Sequence, residues 1–483
     1  MIAMALGNLY GGRTADKNPN PDRLYARILF ASVWIAAIPV VGKYIILGIS
    51  GLLIFTVSSN FLIIAGFAAC MVIFVFPLFL LGTTTPSLAK YSLESLDEGG
   101  RIVGRLNAAN TIGSIIGTFV PTFISIPAVG TSITFLIFAG ILLALALIYF
   151  ISSKIPWKKA KKVPISAALF ILCCIFGHNS SFAFWRDDLK YEGESVYNYL
   201  QVYDDAEKTV FSTNVLFGVQ SVYMKSKSLT GLYYDYAMAA PFMARTVEKG
   251  GADILVLGNG TGTFATQCLR YFPGVRAEGV EIDGSITELA EEYFELPEEV
   301  NVTTYDGRAY LQALDSKYDV IMVDAYQDIT IPFQMASLEF FELVRDHLNE
   351  GGVMVVNMSM RGNGEGSLNE YLADTIAHVF PEVCTVDVTG STNRELFAGM
   401  DGALMTAFDS DLARTDDAAL AEMMHTVREH IVPYEPGSYC MTDDMAPVEL
   451  LSMQMIDAII QDEAAYYRRI YDEEGLSGLL DRL

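Results

Sequence analysis

The chain has 483 residues, 52% of them hydrophobic, and its charge is split: residues 1–184 carry 13 Lys+Arg against 5 Asp+Glu, the remainder 19 against 52. That length implies two or three domains, and an apolar, mildly basic half joined to a strongly acidic one points to a membrane anchor carrying a soluble domain that repels nucleic acid. Six cysteines without a CxxC pair and five histidines without HExxH spacing exclude a disulfide scaffold, a zinc finger and a metalloprotease.

Apolar runs at about 28–48, 60–81, 108–128 and 131–152, with a weaker one at about 164–184, predict a multi-pass α-helical transmembrane domain over 1–184. Phe61–Leu81 and Ser132–Ser152 are uncharged and about 20 residues long, enough for a ~30 Å hydrocarbon core at 1.5 Å per residue. Gly113 and Gly117 form a GxxxG spacing, which predicts a close helix contact. Met1–Gly12 reads as the end of a spanning helix that is either short or begun upstream. Recurrence of apolar runs far beyond the N-terminus makes a secretory signal peptide a poor reading. Arg13, Lys17, Arg23 and Arg27, and the five lysines of Lys154–Lys162, mark cytoplasmic loops. If 164–184 spans, the soluble domain emerges outside. If it is interfacial, the domain stays in the cytoplasm, the arrangement expected here.

The soluble half begins with a small β-rich lead-in (185–240), whose strands are predicted at Tyr199–Val202, Thr209–Phe211 and Val219–Tyr223. A helix follows at Tyr234–Glu248. The catalytic domain (241–483) opens with Asp253–Leu257, an apolar run expected of a buried parallel strand. It passes directly into Gly258, Gly260 and Gly262, and a helix resumes at Phe264–Tyr271. Glycines between a strand and a helix let backbone approach a ligand at a helix N-terminus. A second strand, Arg276–Ile282, carries Glu281 about 20 residues beyond the glycines, where a carboxylate accepts bonds from ribose hydroxyls. The strand Val300–Thr304 leads to Asp306 and Gly307. Asp306 is either an acceptor for an adenine amino group or the N-cap of the next helix. The strand Tyr318–Val323 ends at Asp324. In an open α/β sheet the carboxyl ends of strands face the ligand crevice, so the three acids share one rim. The 325–333 loop is placed as a lid. A helix at 337–348, a strand at Val353–Asn357 and continued β/α alternation over 367–380 and 383–408 predict a doubly wound, Rossmann-like sheet.

These residues resemble the spermidine synthases, the polyamine aminopropyltransferases, and in particular the branch fused to a multi-spanning membrane domain. The resemblance is carried in the soluble half by Glu194-Ser-Val-Tyr-Asn198, Gly231-Leu-Tyr-Tyr-Asp235, the glycine loop, Gly279-Val-Glu-Ile-Asp283, Tyr305-Asp-Gly-Arg308, Asp324-Ala-Tyr326, Ile331-Pro-Phe333 and Thr442-Asp-Asp-Met-Ala-Pro-Val-Glu449. In the membrane half it is carried by Gly11-Gly-Arg-Thr-Ala-Asp16, Gly82-Thr-Thr-Thr-Pro86 and Gly104-Arg-Leu-Asn-Ala108. It implies transfer of an aminopropyl group from decarboxylated S-adenosylmethionine to an amine such as putrescine, with no metal. It implies Asp324 as general base, Glu281 on the ribose and Asp306 with Gly307 at the adenine. It also implies Asn198 and the glycines at the cofactor, and Tyr234, Asp235, Tyr326, Gln327 and Asp328 at the amine.

The chain departs from that pattern at several positions. Thr261 stands where the soluble enzymes carry an aspartate for the cofactor's amine, Asp235 where they carry Gln or His, Asn198 where they carry Gln, and Gln327 where a second acid is expected. With Thr261, ordinary S-adenosylmethionine and a methyltransferase remain open. So does a non-catalytic polyamine sensor or transporter, since Gly11–Asp16 is similar to a loop of major-facilitator transporters. Asp443, Asp444 and Glu449 either add charge for a cationic substrate or form an exposed acidic loop. The partners expected are a small polyamine and the lipid bilayer; a homodimer is left open.

Overall fold

The computed structural model describes residues 1–53, 60–93, 99–153, 161–178, 181–183, 186, 188–213, 219–325, 331–358 and 364–480. They fall into two compact units, Met1–Trp185 with Ile460–Leu483, and Arg186–Ile459.

The first unit contains α1 (Ile2–Lys17), α2 (Pro21–Leu53), α3 (Phe61–Gly82), α4 (Thr84–Ser92), α5 (Gly99–Val120), α6 (Ile126–Ser152) and α7 (Lys162–Gly177). Among the described residues, three stretches are long and apolar enough to cross a membrane: Pro21–Leu53, Ile63–Ser92 and Gly99–Ser152. Ser32 Oγ donates to the Ala139 carbonyl at 2.9 Å and Trp34 Nε1 to that of Ile73 at 2.8 Å, tying α2 to α6 and α3. The α7 helix has 16 residues, about 24 Å at the helical rise, which is short of a ~30 Å core. Gly113 and Gly117 do not make the predicted contact. The α5 helix buries no residue, and a Cβ at either glycine would meet nothing within 4 Å. The close approach lies where α1 crosses α3, where a Cβ on Gly7 would strike the Phe79 backbone and one on Gly82 that of Met4. Spacing identifies small residues but not the face that meets a neighbour.

The second unit begins with β1 (Leu189–Glu194), β2 (Tyr199–Asp204), β3 (Lys208–Ser212) and β4 (Ser221–Met224), an antiparallel meander in that order. Leu200, Val202 and Phe211 from it pack on Ile286, Leu289 and Phe294. Three short pieces, α8 (Tyr233–Ala237), α9 (Ala239–Met243) and α10 (Thr246–Lys249), replace the single helix predicted there. Arg245 takes a left-handed conformation, φ 61°, which breaks the run before α10.

The main sheet has strand order β12-β10-β11-β9-β8-β5-β6-β7. Its strands are β5 (Asp253–Leu257), β6 (Arg276–Glu281), β7 (Asn301–Thr304), β8 (Tyr318–Val323), β9 (Leu348–Met358), β10 (Glu382–Asp387), β11 (Arg394–Gly399) and β12 (Val432–Pro433). The helices α11 (Thr263–Tyr271), α12 (Gly284–Tyr293), α13 (Gly307–Ala313) and α14 (Leu338–Asp346) join the parallel strands β5 to β9, and α15 (Leu368–Ala377) follows them. On β5, Ile254 and Val256 enter one core and Leu255 and Leu257 the other, so the sheet is covered on both faces. The alternation expected over 383–408 does not persist: β10 and β11 form an antiparallel hairpin. The 388–393 connection is too short for a crossover helix, and Gly390 turns it at φ 75°. The chain closes with α16 (Leu404–Leu412), α17 (Ala418–His430) and α18 (Val448–Leu480). A helical unit with membrane-length segments, followed by a Rossmann-like α/β unit with a β-rich lead-in, is the fold class the sequence predicts.

Candidate active site

At the carboxyl ends of β5, β6, β7 and β8 lies a cavity of about 560 Å³. Its glycine wall exists because the chain leaving β5 passes directly against the backbone that follows β8. Gly258 sits at φ 84°, and a Cβ there would run into the backbone of Asp324 and Ala325. Gly258 and Gly260 line the cavity. Gly262 caps the N-terminus of α11 instead.

Each strand-end acid is oriented by its neighbours. Glu281 accepts from Gly260 N at 2.9 Å and Asp283 N at 3.1 Å, and its burial holds its carboxyl above the usual range. Asp306 caps α13, accepting from Ala309 N at 2.8 Å, and also lines the cavity beside Gly307. Both sequence readings of Asp306 are therefore compatible with its position. Asp324 is held by two side chains: Asn357 Nδ2 donates to Oδ1 at 2.8 Å and the Tyr233 hydroxyl to Oδ2 at 2.7 Å. Asn357 is held in turn by Asn393 Nδ2 at 2.9 Å. Burial lifts Asp324 to about 7; the two hydrogen bonds oppose this and the negative charge of Glu281 adds to it.

Residues of the lead-in line the cavity as well. Asn198 lines the cavity while donating to Asp283 Oδ2 at 3.0 Å, an oxygen that Ser195 Oγ also bonds. Tyr234 lines the cavity too, its hydroxyl donating to the Gln220 carbonyl at 2.5 Å. Asn259, in the glycine loop, lines the cavity, and neither its Nδ2 nor its Oδ1 has a hydrogen-bond partner among the described residues.

Besides Gly262, one predicted position lies elsewhere. Asp235 is fully buried beside α11, accepting from Thr230 Oγ1, Gly231 N and Gln267 Nε2, and does not line the cavity. Thr261 is also buried outside it. Tyr326, Gln327 and Asp328 lie outside the described residues. Of the C-terminal acids, Asp443 is paired with Arg308 at 2.6 Å, Glu449 lines the cavity, and Asp444 does not. Residues not singled out from sequence are Tyr233, Gln220, Asn357 and Asn393. The Tyr-Tyr pair at 233–234 was the available signal for the first; the others depend on strand pairing.

Among the described lining residues are four carboxylates, Glu281, Asp306, Asp324 and Glu449, and no Lys, Arg or His. Aromatic and aliphatic side chains make up much of the rest. Such a cavity favours an apolar-bodied cation and disfavours an anion.

A family model described as "Spermine/spermidine synthase domain" matches residues 235–390. The chain is 50% identical over 356 residues, 70% of its length and 78% of the relative's, to a "Probable polyamine aminopropyl transferase" of Bifidobacterium longum. It is 23% identical over 309 residues, 60% of its length and 98% of the relative's, to a "Polyamine aminopropyltransferase" of Vibrio vulnificus. A shorter likeness, 30% over 158 residues, covers 30% of the chain and 22% of an "eEF1A lysine and N-terminal methyltransferase" of Xenopus laevis.

Proposed function

Because the chain belongs to the polyamine aminopropyltransferase family, we propose that it transfers the aminopropyl group of decarboxylated S-adenosylmethionine to putrescine, giving spermidine and methylthioadenosine. The observation that carries this reading is the cavity with four carboxylates and no basic side chain among its described lining residues. Decarboxylated S-adenosylmethionine brings a sulfonium and an ammonium, and the acceptor diamine brings two ammoniums. Ordinary S-adenosylmethionine adds a carboxylate. At an effective dielectric of about 20, one such charge about 6 Å from a cavity acid costs about 3 kcal/mol, roughly a hundredfold in affinity. That weighs against the methyltransferase reading left open by Thr261.

In this proposal Glu281 holds the ribose hydroxyls, with Gly258 and Gly260 beside the sulfonium-bearing tail. Asp306 takes the adenine amino group on the oxygen not used to cap α13. Asp324 is the general base. A diamine ammonium with a pKa of about 10 is almost wholly protonated at neutral pH and cannot attack. Asp324 orients it and removes its proton, while Tyr233 and Asn357 hold the carboxylate still. The freed nitrogen pair attacks the methylene on sulfur from the side opposite the leaving group. A carbon–nitrogen bond forms, the carbon–sulfur bond breaks, and its electron pair stays on sulfur as a neutral thioether. Alignment within the cavity supplies much of the rate, since the sulfonium is already activated. A catalytic unit on the cytoplasmic face fits the lysines of 154–162 and an α7 helix too short to return the chain across the bilayer.

Detergent-purified full-length protein is incubated with putrescine, cadaverine or agmatine and either cofactor, and products are identified by mass spectrometry. Methylthioadenosine and spermidine from the decarboxylated cofactor and putrescine are expected. S-adenosylhomocysteine from the ordinary cofactor, or no product from either, overturns the reading.

A further inference from the structure

One wall of the cavity comes from the first turns of α18, beyond the segment matched by the family model. Val448, Ser452 and Ile456 recur every fourth residue and share a helical face. Val448 and Met455 root this stretch in the apolar core beneath. The strap that leads into it is clasped near Asp306. Arg308, two residues after that acid, donates to both carboxylate oxygens of Asp443 at 2.6 Å, and Ser337 Oγ donates to the same carboxylate at 2.6 Å. Leu338 N donates to the Met441 carbonyl at 2.8 Å. The clasp ties the strap that leads into α18 to the segment that follows Asp306.

Ser452 on this wall is 1% exposed, and its Oγ has no hydrogen-bond partner among the described residues. A buried hydroxyl left unpaired is destabilising, whereas alanine would fill the same space without that cost. A polar ligand atom arriving in the cavity would satisfy it. Purine edges present ring-nitrogen acceptors and an exocyclic amine, and a hydroxyl can serve either by donating or accepting.

We propose that Ser452 Oγ is a specificity-determining hydrogen-bond partner of the purine of the bound nucleoside, and that the first turns of α18 seat that base. The proposal rests on the adenosyl reading of the cavity given above. Asp306 and Ser452 then address the same base from two elements far apart in sequence, one from the end of β7 and one from α18.

The test compares wild type with Ser452→Ala as full-length protein in detergent, titrating methylthioadenosine by calorimetry and recording the melting temperature without ligand. Methylthioadenosine has no aminopropyl group, so it reports on the nucleoside end alone. The expected result is about a tenfold rise in Kd, equivalent to about 1.4 kcal/mol, with an unchanged or higher melting temperature for the ligand-free variant. A merely structural serine would give the reverse pattern, a lower melting temperature and an unchanged Kd, and that outcome overturns the proposal. If wild type binds no methylthioadenosine at all, the adenosyl reading fails and this inference falls with it. Binding by wild type with equal binding by the variant removes the inference alone.

Discussion

Replacing Asp324 by asparagine separates what the site costs in stability from what it does in catalysis. The Asp324 carboxyl is lifted from its ordinary value of 3.8 to about 7, chiefly by burial. At about 1.36 kcal/mol per pH unit, keeping it ionised in the ligand-free protein costs up to about 4 kcal/mol. Because the folded value lies above the unfolded one, its favourable contribution is complete below about pH 4. It is lost as pH climbs through 7. An asparagine can keep Asn357 Nδ2 as donor to its oxygen and donate its own amide to the Tyr233 hydroxyl oxygen, so both side-chain contacts survive. The variant should therefore melt slightly above the wild type at pH 5, where about 1.6 kcal/mol of the difference is already present, and well above it at pH 8.5. Scanning fluorimetry of the two full-length proteins across that range reads the difference. Turnover at pH 8 should fall by about 10² to 10⁴, the range attributed to a general base, while methylthioadenosine binding is retained. A melting-temperature gap that stays flat from pH 5 to 8.5 would refute the buried, uncompensated carboxylate. Turnover within threefold of wild type would refute the base assignment.

Tyr233→Phe removes one of the two hydrogen bonds that favour ionised Asp324, so the acid limb of the kcat/KM–pH profile should move upward from about 7 by roughly half to one unit. An unmoved limb would show that Tyr233 does not tune the base. Alkaline phosphatase and fluorescent-protein fusions at Lys159 and after Leu483 should both report the cytoplasmic side. Phosphatase activity at the C-terminal fusion would place the catalytic unit outside.

The features legible in the sequence are those whose causes are local. The β5 strand, its glycine turn and the acids ending β6, β7 and β8 follow from short apolar runs and the residues that terminate them. Those acids line one cavity as expected. What was not legible depends on partners distant in sequence. Asp235 reads from its motif as substrate-facing, yet Gln267, thirty-two residues on, draws it inward. Asn357 meets Asp324 because β9 pairs with β8, and Ser452 reaches the cavity on a helix from the far end of the chain. The GxxxG at 113 and 117 misleads for the same reason: local spacing gives no account of which face a neighbour covers.

An acidic cavity with no basic side chain among its described lining residues should select a cationic adenosyl compound without a carboxylate. Equilibrium binding of decarboxylated and ordinary S-adenosylmethionine to the same full-length protein, measured by calorimetry at pH 7.5 and low salt, tests it most directly. The decarboxylated compound should bind about a hundredfold more tightly. Equal affinities, or tighter binding of the carboxylated compound, would contradict it.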